Sequence, residues 1–84
     1  MSDASEVERV FRRDYGRAVA SVNRLLGDLG LAEEAVQDAF TKALDRWPHA
    51  GPPPSPAGWI ITTAANAIVD RFRRESLRDE RHAQ

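Results

Sequence analysis

Apolar residues recur at three-and-four spacing in each of three segments of this chain, and no segment alternates with period two. That pattern leaves helices as the only regular elements and predicts an all-α architecture. Val7, Val10, Phe11, Val19, Val22, Leu25, Leu26 and Leu29 mark a first helix over about 5–27. Ser5 followed by Glu8 has the form of a capping box, Gly16 costs about 1 kcal/mol relative to alanine, and Gly27 or Gly30 supplies the stop. A second helix over about 31–47 buries Ala35, Val36, Ala39, Phe40, Ala43, Leu44 and Trp47. Glu33 and Glu34 sit in its first turn, where the helix dipole favours carboxylates, and Pro48 is expected to end it.

The stretch PHAGPPPSP is a stiff connector, because proline fixes φ and donates no backbone hydrogen bond. Ser55 and Pro56 then suit an N-cap and first helical position. The third helix is expected to run to about residue 76 and to bury Ile60, Ile61, Ala64, Ile68 and Phe72. Three main helices around one small core follow, with residues 1–76 as the domain. ESLRDERHAQ has no apolar stripe, so 77–84 reads as a frayed helix end or the start of a linker.

At 84 residues one modest core is expected, and 42% apolar with 30% charged content fits a globular chain. No apolar run spans a membrane, no signal peptide opens the chain, and the lack of cysteine suits a cytoplasmic location. The net charge of −1 conceals two patches. Asp28, Glu33, Glu34, Asp38 and Asp45 face Lys42 alone in 28–45, and Arg71, Arg73, Arg74, Arg78 and Arg81 gather later. Opposite patches suggest two different partners. His49 and His82 stand alone, and no metal-ligand spacing, phosphate loop or nucleophile elbow occurs, so neither an enzyme nor a cofactor is expected.

Two polar stripes carry the remaining information. Glu34, Gln37, Asp38, Thr41 and Asp45 share one narrow face of the second helix. It is either a solvated face, with Asp38 relieved by Lys42, or a docking surface for a basic partner. On the third helix Trp59 shares a face with Thr62, Thr63, Asn66, Asp70, Arg73 and Arg74. Trp59 either folds back onto the proline loop or Trp47, or it joins a single-strand-binding set. In such a set aromatics stack on bases, Asn and Thr bond base edges, and Arg meets phosphates.

LAEEAVQDAFTKALDRW, then a loop, then GWIITTAANAIVDRFRR resembles region 2 of bacterial RNA polymerase sigma factors, and more narrowly the extracytoplasmic-function (ECF) class. The resemblance implies that the second helix docks on the clamp-helices coiled coil of the polymerase's largest subunit through Glu34, Gln37 and Asp38, with Thr41 on the same stripe. It implies too that the loop and third helix take the promoter −10 element as single-stranded non-template DNA, one base flipped into a pocket. Flipping costs a few kcal/mol, which pocket contacts offset. Asn66 and Thr62 would line that site, and Arg73 and Arg74 would lie near the backbone. An anti-sigma factor or a C-terminal extension is a further partner of the kind such factors have.

The chain departs from the broader family pattern in three places. Primary factors carry two adjacent tryptophans where this chain has Gly58-Trp59, which implies weaker melting; Ala65 replaces a larger residue, and the loop is unusually proline-rich. Nothing resembles the region 4 helix-turn-helix, so a single region of a longer factor is expected. The competing expectation is a helical protein–protein adaptor without DNA binding. A duplex-reading repressor fits poorly, because no short turn joins the last two helices.

Overall fold

The computed structural model describes the backbone of residues 3–83 and the side chains of 6–78. It holds three helices, α1 (Asp3–Leu26), α2 (Leu29–Ala50) and α3 (Pro56–Ala83), each packed against the other two. Among the described residues, no helix is long and apolar enough to cross a membrane.

The first turn between helices is the tightest. Gly27 takes φ 70°, a left-handed value that glycine adopts without strain, and its N–H reaches the Asn23 carbonyl at 2.7 Å. Asp28 follows directly as the N-cap of α2, extended at φ −140°, its Oδ1 accepting from the Leu31 N–H at 3.0 Å. This cap starts α2 at Leu29, two residues before the sequence-based boundary. At the other end α1 already begins at Asp3, so Ser5 lies inside the helix instead of capping it, and its side chain lies outside the described set.

Pro48 does not end α2. The helix passes through it to Ala50, and Gly51 terminates it at φ 81°, donating to the Trp47 carbonyl at 2.7 Å. Proline forfeits one backbone bond, the one to Leu44, and so close to a helix end that loss is affordable. Trp47, 2% exposed, anchors the same turn in the core. The loop 51–55 then leads to Pro56, and the Trp59 N–H closes the first turn of α3 on the Ser55 carbonyl at 2.9 Å. A Cβ at Gly58 would lie 2.8 Å from Ser55 Oγ, so a larger residue there would turn that exposed hydroxyl aside.

The core is built from Val7, Val10, Ala18, Val19 and Val22 of α1, from Ile60, Ala64 and Ile68 of α3, and from the inner face of α2. That inner face is Ala32, Ala35, Val36, Ala39, Phe40, Ala43 and Trp47. Burial is confined to this seam, and several residues expected inside are exposed: Phe11, Leu25, Leu29, Leu44 and Phe72. Asp14, not anticipated as a core residue, is buried and paired with Arg13 at 2.9 Å.

From Val69 to Arg78 every residue of α3 is exposed, so its last turns extend beyond the bundle. A helix of 28 residues is about 42 Å long. That length is the largest single contribution to an outline of 54 × 26 × 18 Å. The helix does not stop near residue 76: α3 continues to Ala83, in line with the helical one of the two expectations for 77–84. An apolar stripe is not required to prolong a helix already nucleated by packing, since each further residue adds one backbone bond. The Arg71–Glu75 pair, 3.3 Å and four residues apart, supports the first of these turns.

Candidate functional site

Two outward faces collect the polar residues singled out above. On α2, Glu34, Gln37, Asp38, Thr41 and Asp45 are all exposed. The face is not simply solvated. Gln37 Nε2 donates to the Tyr15 hydroxyl at 3.1 Å, and the Thr41 hydroxyl donates to the Gln37 carbonyl at 3.1 Å. Tyr15 in turn belongs to an aromatic trio. Its ring centroid is 4.8 Å from that of Phe11 and 6.4 Å from that of Phe40, and Phe11 meets Phe40 edge-on at 5.0 Å. Gln37 is thus held in one orientation by an element that sequence spacing does not connect to it.

Glu34 also has a partner the sequence pattern does not announce. Its Oε1 lies 3.7 Å from Arg71 Nη1, across the cleft between α2 and α3 that Leu31, Asp38, Ala67 and Ile68 also line. Both side chains are about half exposed, so the pair contributes at most about 1 kcal/mol. Among the described residues, no ion pair joins Asp38 to Lys42 or to any other cation. Asp38 stands one turn from Glu34.

On α3, Ile60, Ala64 and Ile68 point inward, and the opposite side carries Thr62, Asn66, Asp70 and Arg73 in a sector of about 80°. All four are exposed, Arg74 is exposed at the sector's edge, and Thr63 is half-buried. Among the described residues, none of the six enters a side-chain hydrogen bond or an ion pair. This differs from α2, whose stripe is partly tied down.

Trp59 is the exception on α3. It is half-buried and meets Trp47 edge-to-face, centroids 5.5 Å apart and planes at 69°. Such a pair contributes about 0.5–1.5 kcal/mol beyond its buried area. The ring thereby fixes the start of α3 and the end of the proline loop against α2, and only part of its surface faces outward. Trp47 is itself buried, and among the described residues its Nε1 has no acceptor. Of the residues in the polar sector, Trp59 is therefore the one with a clear structural duty.

Comparison with known proteins identifies this arrangement. The chain belongs to the Sigma-70 region 2 family, whose model matches residues 10–78 and so takes in most of α1, all of α2 and α3 as far as Arg78. Within that family it is of the ECF type. It is 33% identical over 81 residues to "Probable ECF RNA polymerase sigma factor SigI" of Mycobacterium tuberculosis (strain ATCC 25618 / H37Rv), covering 96% of this chain and 27% of that protein. It is 31% identical over 86 residues to "ECF RNA polymerase sigma factor SigK" of Mycobacterium sp. (strain KMS), covering 98% of this chain and 43% of that protein. It is also 37% identical over 76 residues to "Uncharacterized protein R00370" of Rhizobium meliloti (strain 1021), covering 90% of this chain and 18% of that protein. The chain thus spans less than half the length of each of these relatives. No solved structure matches it.

Proposed function

We propose that this domain couples RNA polymerase to promoter DNA during transcription initiation, with α2 as the docking side and the outer face of α3 as the DNA side. On α2, Glu34, Gln37, Asp38 and Thr41 contact the clamp-helices coiled coil of the largest polymerase subunit. On α3, Thr62, Thr63, Asn66 and Asp70 read the −10 element as single-stranded non-template DNA. Arg73 and Arg74 contact its backbone, and the exposed part of Trp59 borders the strand. The observation that carries this reading is the uncommitted polar sector of α3, whose amide, hydroxyls and guanidinium groups have no partner within the described residues. A solvated helix face needs no such grouping of base-edge hydrogen-bonders above a braced aromatic, whereas readout of an unpaired strand does.

Asn66 is the residue on which base recognition rests. An amide can donate and accept together, so it distinguishes base edges, whereas an arginine on phosphate carries no sequence information. Asn66→Ala is expected to weaken binding to an oligonucleotide bearing the −10 sequence by about 1–3 kcal/mol, roughly 5- to 150-fold, and to leave a scrambled oligonucleotide unaffected. Fluorescence anisotropy with both oligonucleotides measures this. Equal losses on both would make Asn66 a backbone or structural residue and remove it from the reading site. If the unaltered chain shows no saturable, salt-dependent binding to either strand, alone or with core polymerase, the protein-only adaptor takes this reading's place.

A further inference from the structure

The arginines of α1 form a group that the two faces above do not use up. Five arginines, Arg9, Arg12, Arg13, Arg17 and Arg24, lie on α1, all of them exposed. On 100° spacing, Arg9, Arg13, Arg17 and Arg24 share a sector of about 80° on the side opposite Val7, Ala18 and Val22. From Tyr15 to Leu26 the helix carries Arg17 and Arg24 and no acidic residue, and among the described residues neither arginine enters an ion pair. Toward the N-terminus Arg9 is 3.5 Å from Glu6 and Arg12 is 2.7 Å from Glu8, both exposed pairs of the weak kind. Arg13 pairs with Asp14, whose own carboxylate is turned into the bundle and presents little charge outside.

Gly16 lies along the same side. A mid-helix glycine is unfavourable, and here nothing inside the protein asks for one: a Cβ would meet no atom within 4 Å, and φ is not positive. Ala20, one turn on, is exposed too, so the arginines frame a low surface that another molecule can approach closely.

We infer that this face of α1 binds the sugar-phosphate backbone of double-stranded DNA. The charge is complementary, and arginine's planar fork engages phosphate oxygens in pairs. From Arg9 to Arg24 the face is about 22 Å long, against one phosphate per ~1.7 Å of duplex axis. A duplex, and not a single strand, is the occupant, because the sector contains no aromatic on which unpaired bases could stack. The inference goes beyond the single-strand reading of α3 and does not depend on it.

The test titrates fluorescent duplex DNA of unrelated sequences with the chain at several salt concentrations. Arg17→Gln/Arg24→Gln is expected to raise Kd several-fold on every duplex and to lower the slope of log Kd against log salt by about 2. Lys42→Gln/Arg46→Gln removes the same charge from α2 and is expected to leave the slope unchanged. Gly16→Leu is expected to raise the melting temperature by a few degrees, through helix propensity, while weakening duplex binding. The inference is overturned if the unaltered chain shows no saturable duplex binding at low salt, if Arg17→Gln/Arg24→Gln binds as before, or if Lys42→Gln/Arg46→Gln weakens binding equally. Asn66→Ala keeps duplex binding, so failure of the single-strand reading is seen separately from failure of this one.

Discussion

Trp47→Ala is expected to be the most damaging single truncation in this domain, costing about 3–5 kcal/mol. A chain of 84 residues has some 4–13 kcal/mol in total, so the loss takes roughly a quarter of the stability at the upper end of that range and all of it at the lower end. At about 4–8 °C per kcal/mol for this size, the melting temperature falls by well over ten degrees. The reason is positional. Trp47 fills the end of the core where α2 carries Pro48, where the loop leaves at Gly51, and where Trp59 sets the start of α3. Its removal frees both the ring of Trp59 and the loop, so single-strand binding should fall along with stability. Trp47→Phe is expected to be much milder. It keeps an aromatic against Trp59 and deletes the buried Nε1–H that has no acceptor, a donor whose unpaired burial costs about 1–3 kcal/mol. Thermal melts of both variants beside Ile60→Val, expected to lose about 0.5–1.5 kcal/mol, decide the matter. Trp47→Ala melting no lower than Ile60→Val would show that the two-tryptophan contact does not hold the loop end of the bundle together.

The three helices were legible because apolar spacing reports a buried face directly, and the prolines at 52, 53, 54 and 56 leave little choice for the loop. Their limits were less so. Asp28 caps α2 through a bond to Leu31 that depends on an extended backbone, a property the residue's identity permits but does not require. Pro48 is tolerated because Trp47 is anchored by α3, so that exception is decided by tertiary packing. Phe11, Leu44 and Phe72 satisfy helical spacing yet stay about half exposed, because they stand at the margin of the core, and a regular repeat does not say how far burial extends around a helix.

The same distinction runs through the candidate site. Which residues share a face follows from 100° per residue, and α2 and α3 present their stripes as that arithmetic implies. What holds a face in place does not follow from it. Tyr15 meets Gln37 22 positions away, and Arg71 meets Glu34 from another helix. A repeat within one helix cannot signal either contact. The arginines of α1 are likewise plain in the sequence, but the face they share becomes conspicuous only once Gly16 is seen to have no internal role.

Reversing charge at the docking stripe is the change with the largest expected effect on partner binding. Glu34→Lys/Asp38→Lys places two cations where a basic partner would meet two carboxylates, and is expected to weaken association with the isolated clamp-helices coiled coil by at least tenfold, more at low salt. The effect on the fold should be small. Asp38 has no ionic partner among the described residues, and the exposed Glu34–Arg71 contact is separated by 3.7 Å, so its replacement costs at most about 1 kcal/mol. The helices differ in one instructive way: Arg71→Ala releases Glu34 from its internal contact and should, if Glu34 faces the partner, leave association unchanged or slightly tighter. Glu6→Lys supplies the comparison for Asp38→Lys, being an equal charge change on the outer face of α1, whose contact is with Arg9 and not with the stripe. If Asp38→Lys and Glu6→Lys weaken association equally, net charge alone is at work; if neither does, and the double variant binds as the unaltered chain, α2 is not the docking side. Only a loss confined to the stripe, with the melting temperature held within a few degrees, ties those carboxylates to the partner.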